Sequence, residues 1–63
     1  MLFIELITIK NERIYMQITR IAYICEYKKR AIIFDIDGQE FDLNETYDEF
    51  ILRFNNTFIT LNN

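Results

Sequence analysis

Apolar and polar positions alternate along most of this chain. Residues 2–9 place Leu2, Ile4 and Leu6 on one side of an extended segment and Phe3, Ile7 and Ile9 on the other, with Glu5 the only charge. Apolar residues on both sides predict a strand that is central in a sheet or lies at an interface. Lys10-Asn11-Glu12-Arg13 reads as a polar turn. In residues 14–18, Ile14, Met16 and Ile18 alternate with Tyr15 and Gln17 before Thr19-Arg20 breaks the phase. Residues 21–27 then form another strand, or the same one continued past a bulge. Lys28-Lys29-Arg30 is a charged turn.

Residues 31–36 and 39–43 flank Asp37-Gly38, and Gly38 is the only glycine. With those two residues at the centre of a type I′ turn, which needs positive φ at both positions, Ile36 faces Gln39, Asp35 faces Glu40, Phe34 faces Phe41 and Ile32 faces Leu43. The pattern then changes period. Tyr47, Phe50, Ile51 and Phe54 fall at i, i+3, i+4 and i+7 and give a helix with one apolar stripe, off which Leu52 lies. Thr46 and Glu49 have capping-box spacing, and Glu49 and Arg53 form a favourable i, i+4 pair. Asn55-Asn56 ends this helix, and residues 57–61 read as a short final strand. The expected architecture is α+β: a small antiparallel sheet of four to five strands, with one C-terminal helix, residues 46–55, packed on one face.

Sixty-three residues make a single domain. A chain of that length buries only about 60% of the surface its unfolded form exposes. Yet 51% of the residues are hydrophobic and 16% aromatic, which excludes disorder and leaves more apolar surface than so small a body can hide. We expect a homodimer, most simply one with two-fold symmetry. Cys25 is the only cysteine and there is no histidine, so an intrachain disulfide is impossible and structural zinc lacks its usual ligands. No cofactor is expected. The opening apolar run is too short to span a membrane and has no basic leader region, which points to a cytoplasmic protein with no membrane partner. The abundance of Ile, Asn and Lys is what an AT-rich genome produces, as in many bacteria and their phages.

Ile33-Phe34-Asp35-Ile36-Asp37-Gly38 is similar to the nucleophile loop of haloacid-dehalogenase-like phosphotransferases, in which the first Asp attacks phosphorus and the second serves as general acid and base. That resemblance would give these roles to Asp35 and Asp37. The fold it requires has later strands carrying a lysine and further metal-binding acids, and too little chain follows Gly38 to supply them. A calcium loop built from Asp35, Asp37, Glu40 and Asp42 fails on spacing: Gly38 directly follows the second Asp, and position 44 is Asn rather than a bidentate Glu. Cys25 has no histidine to activate it and lies in an apolar run, where we expect a core residue. No catalytic residues and no metal site are expected, and the chain is not read as an enzyme.

Charge is unevenly distributed. Residues 1–34 carry six basic and three acidic side chains; residues 35–63 carry one basic and seven acidic, all seven acids lying between positions 35 and 49. An acidic surface repels nucleic acid and steers basic partners. The expected protein-binding residues are Asp35, Asp37, Glu40, Asp42 and Asp48, against an unknown protein partner with a basic surface. The alternative is nucleic-acid contact through Tyr27, Lys28, Lys29 and Arg30, with the cations on phosphates and Tyr27 stacked on a base. The net charge of −3 disfavours it. A third reading is a purely structural homo-oligomer built on the two-sided first strand.

Ile21-Ala22-Tyr23-Ile24, residues 31–43, residues 47–54 and Phe58-Ile59 follow one another as strand, hairpin, short helix and Phe-rich strand. This order resembles the core of LytTR-type DNA-binding domains, and small flagellar FlbD-type proteins show a similar rhythm. The LytTR resemblance implies a shared topology and DNA binding. The family's closing basic signature has no counterpart, since Asn62-Asn63 stands in its place. The residues themselves favour a small acidic protein-binding module without catalysis, such as an accessory or inhibitor protein of a phage or mobile element.

Overall fold

A computed structural model describes the backbone of residues 2–61 and the side chains of residues 2–57. Asn62-Asn63 lies outside the described residues. The order is β1 (Phe3–Ile7), β2 (Arg13–Gln17), a 3-10 turn (Ile18–Arg20), β3 (Ile21–Tyr27), β4 (Arg30–Asp35), β5 (Glu40–Thr46) and α1 (Tyr47–Leu61). The fold is α+β, with one C-terminal helix against β4 and β5. Among the described residues no helix is long and apolar enough to cross a membrane.

The single sheet expected from the sequence is two sheets: the hairpin β1–β2 and the three-stranded β3–β4–β5, all antiparallel. The cause lies at two places. The 3-10 turn swings the chain out of β2 before β3 begins. In β5 the register shifts between the Ile32↔Asp42 and Arg30↔Thr46 pairs, so β5 leaves β4 and reaches the first hairpin. There Leu43 bridges Thr8, and the Ile9 amide donates to the Asp42 carbonyl at 3.0 Å. The two sheets close over one core of Ile4, Leu6, Met16, Ile18, Ala31, Ile33, Leu43 and Phe50. β1 is therefore not a central strand, and within the chain one of its faces is covered: Ile4 and Leu6 are buried, whereas Phe3 and Ile7 stay exposed.

Two of the three hairpins use the same five-residue device. In Thr8–Glu12 and in Asp35–Gln39 the first residue's carbonyl accepts from the fourth amide, at 2.8 and 2.9 Å, and its own amide donates to the fifth carbonyl, at 2.9 and 3.0 Å. Its side-chain oxygen accepts from the third and fifth amides in both cases. The fourth residue, Asn11 at φ 63° or Gly38 at φ 85°, is left-handed, as a three-residue loop of this kind requires. The expected two-residue turn at Asp37-Gly38 is thus a three-residue turn of Ile36, Asp37 and Gly38. The register slips by one: Phe34 faces Glu40, Ile33 faces Phe41 and Ile32 faces Asp42. The buried Asp35 side chain, by bonding two turn amides, favours this loop over the shorter one.

The two-residue turn is found instead at Lys28-Lys29, between the paired Tyr27 and Arg30, with φ of 50° and 70°. Neither lysine is a residue that adopts this conformation readily.

The helix begins where the sequence says it should. The Glu49 amide donates to the Thr46 hydroxyl oxygen at 3.1 Å, and Glu49 Oε1 accepts from the Thr46 amide at 3.1 Å and the Thr46 hydroxyl at 2.8 Å. These bonds hold the Glu49 carboxyl below its usual pKa, the Thr46 hydroxyl contributing most. The Tyr47 amide is capped by the Lys29 carbonyl at 2.7 Å. Phe50 is buried; Tyr47, Ile51 and Phe54 are half-buried and Leu52 is exposed.

Arg53 does not pair with Glu49, which the cap occupies. It forks onto Glu45 of β5 at 2.9 and 3.0 Å and donates to the Glu5 carbonyl at 2.8 Å. The expected stop at Asn55-Asn56 and the final strand 57–61 are both replaced by helix continuing to Leu61. Asn lowers helix propensity only modestly, and the Thr57 hydroxyl turns back onto the Arg53 carbonyl at 2.9 Å.

Two stability changes follow from these turns. Replacing Lys28-Lys29 with Asn-Gly should raise stability by about 1 kcal/mol, or roughly 4–8 °C in melting temperature. Gly38→Ala should lower it by about 1 kcal/mol through backbone strain alone, because no atom lies within 4 Å of the added Cβ. Thermal unfolding followed by circular dichroism measures both.

Candidate protein-binding face

Strand alternation sorts β3 and β4 cleanly. Ala31 and Ile33 enter the core, Ile24 packs against it, and Tyr23, Cys25, Tyr27, Ile32 and Phe34 take the opposite, outer face. There Tyr23 pairs with Phe34 and Cys25 with Ile32. The Tyr23 and Phe34 rings meet edge to face, with centroids 6.2 Å apart and planes at 75°. Ile32 is buried beneath its neighbours, whereas Tyr23 is 66% and Tyr27 52% exposed. The Lys28 ammonium sits 5.4 Å from the Tyr27 ring centre. An open depression of about 330 Å³ runs between Cys25, Tyr27, Ile32, Phe34, Glu40 and Asp42.

Cys25 is exposed, which corrects its expected place in the core. Parity decides this: Ile24, its neighbour, takes the inner position. The aromatic face was missed as a unit, although Tyr23, Cys25 and Tyr27 already stand two apart in the sequence.

The slipped register puts Glu40 and Asp42 beside this apolar ground. Asp42 receives the Arg30 guanidinium in a two-pronged pair, Nε to Oδ1 and Nη2 to Oδ2, each 3.0 Å. The pair pushes the Arg30 pKa up, chiefly through the hydrogen bonds, and holds the Asp42 carboxyl below its usual range against a smaller opposing desolvation. Glu40 is exposed at the rim, and its side chain has no hydrogen bond or ion pair among the described residues.

The other acids are elsewhere. Asp35 is buried in its turn, where Oδ1 accepts from the Asp37 and Gln39 amides at 2.9 Å and Oδ2 lies 3.9 Å from the Arg20 guanidinium. Asp37 pairs with Arg20. Asp48 is in the first turn of α1, where a negative charge complements the helix dipole. The fold therefore brings Glu40 and Asp42 together and sets Asp35, Asp37 and Asp48 apart from them. The carboxylates of the Asp35-x-Asp37 pair are engaged in holding a turn. No group of three metal-ligating side chains occurs among the described residues. Of the basic set, Lys28 and Lys29 form the exposed turn tip, Tyr27 joins the outer face and Arg30 is held by Asp42.

Compared with known protein-family models, curated proteins and solved structures, the chain matches none.

Two expectations concern the carboxylates. Asp35→Ala removes the acceptor for two turn amides and leaves Arg20 short of a partner, which should cost about 2–3 kcal/mol in urea unfolding. Native pKa values of Asp42 and Glu49 lie below the unfolded values of about 3.9 and 4.3. Their stabilising contribution is therefore complete above those unfolded values and disappears as pH falls through the native ones. Asp42→Asn and Glu49→Gln should be destabilised at pH 7 and converge on the parent chain only as pH falls through the lowered native values. Urea midpoints taken between pH 2 and pH 7 test the sign.

Proposed function

We propose that this chain is a non-catalytic protein-binding module whose contact surface is the outer face of β3–β4–β5. The observation that carries the reading is the exposed set Tyr23, Cys25 and Tyr27 around buried Ile32, with half-buried Phe34 and an open depression beside it. Interface centres are rich in aromatic residues and poor in unpaired charge, and of the two carboxylates lining the depression Asp42 is satisfied by Arg30, which leaves Glu40 alone at the rim. The matching partner has an apolar or aromatic projection for the depression and a cation placed to meet Glu40. This keeps the expected basic partner but moves the centre of contact from the acidic stretch to the aromatic face. An accessory or inhibitor protein works in this way, by covering a partner's surface.

The alternative contact with nucleic acid has only the Lys28-Lys29 tip to offer. Arg30 is already paired, and Glu40 and Asp42 on the neighbouring strand oppose an approaching phosphate.

Affinity capture from host extract with the parent chain, Phe34→Ala and Glu40→Lys separates these readings. A protein retained by the parent chain should be lost from Phe34→Ala and reduced at least tenfold by Glu40→Lys. Retention unchanged by both substitutions rules this face out. A gel shift of mixed DNA and RNA at tens of micromolar protein would instead support the nucleic-acid reading.

A further inference from the structure

β3 is the outer strand of its sheet: β4 pairs one edge, and no strand pairs the other among the described residues. Ala22, Tyr23, Cys25, Glu26 and Tyr27 are exposed, and Glu26 is the strand's only charge. Such an edge is a template for another strand.

The adjoining turn decides which peptide groups are free. Tyr27 and Arg30 flank a two-residue turn, and such a turn makes its flanking pair a hydrogen-bonded one. Counting back along the ladder, Cys25 and Tyr23 also bond to β4. Glu26 and Ile24, opposite Ala31 and Ile33, form the alternate, non-bonded pairs. Their N–H and C=O groups point to the open edge. Beyond Tyr23 the register shift before Ile21 ends the regular ladder.

We propose that this edge binds a second copy of the chain, β3 to β3 and antiparallel, about a two-fold axis at Cys25. This axis sets Ile24 of each copy against Glu26 of the other, so every outward peptide group of the regular ladder finds a partner. An axis at Ile24 would call on Ala22, inside the register shift, for its next pair. An axis at Glu26 would place two like charges directly opposite, which is unfavourable. With the axis at Cys25, Tyr23 of one copy faces Tyr27 of the other on the outer surface. The two three-stranded sheets then become one continuous sheet. A contact made by one strand edge falls in the small, reversible class of interfaces, and self-association is expected at micromolar concentration. The Cys25 residues become a non-bonded pair with Cα atoms about 4.5 Å apart, within disulfide reach.

Sedimentation equilibrium of the full chain in reductant, from low to high micromolar, should show a reversible monomer–dimer equilibrium. Glu26→Pro removes a donor on the open edge and none to β4, a placement that edge strands tolerate. It should weaken the dimer at least tenfold with an unchanged monomer circular dichroism spectrum. Tyr23→Lys should weaken it too, and adding Tyr27→Glu should restore it through the cross-strand pair, a readout that holds even if the proline variant fails to fold. Copper–phenanthroline, accepting two electrons as the two thiols release two protons, should join the parent dimer through Cys25. A chain that stays monomeric throughout, as it would if this edge served only a foreign strand, overturns the proposal. So does a dimer indifferent to Tyr23→Lys or one that does not cross-link. Purified protein alone is used, so failure here leaves the Phe34–Glu40 face untested by this result and open to the capture experiment.

Discussion

The register of β5 on β4 is the constraint from which the rest of the structure follows. Strand side chains alternate with a period of two, so a slip of one residue exchanges the faces of a whole strand. Here the buried Asp35 carboxylate and left-handed Gly38 select a three-residue loop. Ile33 is thereby matched with Phe41 on the inner side and Ile32 with Asp42 on the outer. With the shorter loop, Phe41 and Leu43 would pair with Phe34 and Ile32, and the core would lose Leu43 and the packing of Phe41 against it. The same slip delivers Asp42 to Arg30 and Glu40 to the rim of the aromatic face. A carboxylate that resembles a nucleophile in the sequence thus sets the sidedness of the sheet.

The three hairpins meet that need with unequal chemistry. Thr8 and Asp35 each supply a side-chain oxygen to two loop amides, with Asn11 and Gly38 in the left-handed position that suits them. Lys28 and Lys29 have neither advantage, yet their turn is held from outside. The Lys29 carbonyl caps the Tyr47 amide, and the Arg30–Asp42 pair locks the strand that leaves the turn. The start of α1 is therefore coupled to the β3–β4 turn as well as to its own capping box. Strain at the turn is offset by the helix it helps to begin, and two lysines stay projected at the tip.

Much of this was legible from periodicity and capping chemistry. The strands through residue 46, the Tyr47–Phe50–Ile51–Phe54 stripe and the Thr46–Glu49 box all stand in the sequence because each depends on neighbours a few residues apart. What was not legible depends on distant partners. Loop length at Asp37-Gly38 turns on a buried carboxylate, whose burial is itself a product of the fold. The strand-like run 57–61 continues as helix past Asn55-Asn56, which is only a weak stop. The apolar run around Cys25 suggests a core position, but its parity with exposed Tyr23 and Tyr27 sends it outward and makes the aromatic face.

Charge shows the same limit from the other direction. The basic first half and acidic second half look like two binding surfaces in a linear reading, but antiparallel pairing folds one onto the other. Arg20 meets Asp37 and approaches Asp35, Arg30 meets Asp42, and within the second half Arg53 meets Glu45. Apart from the contact with buried Asp35, pairs this exposed contribute about 0–1 kcal/mol each, so their main effect is geometric: they pin a turn, a strand and a helix in place. Once these pairs form, the acidic stretch is no longer a free surface of like charge. Among the described residues Glu40, Asp48 and Glu49 have no such cation; Glu49 is held in the helix cap, and of the other two Glu40 stands beside exposed aromatic rings. If the outer face binds a partner as proposed, its specificity rests on shape and aromatic contact at its centre, with a single rim carboxylate to orient what binds.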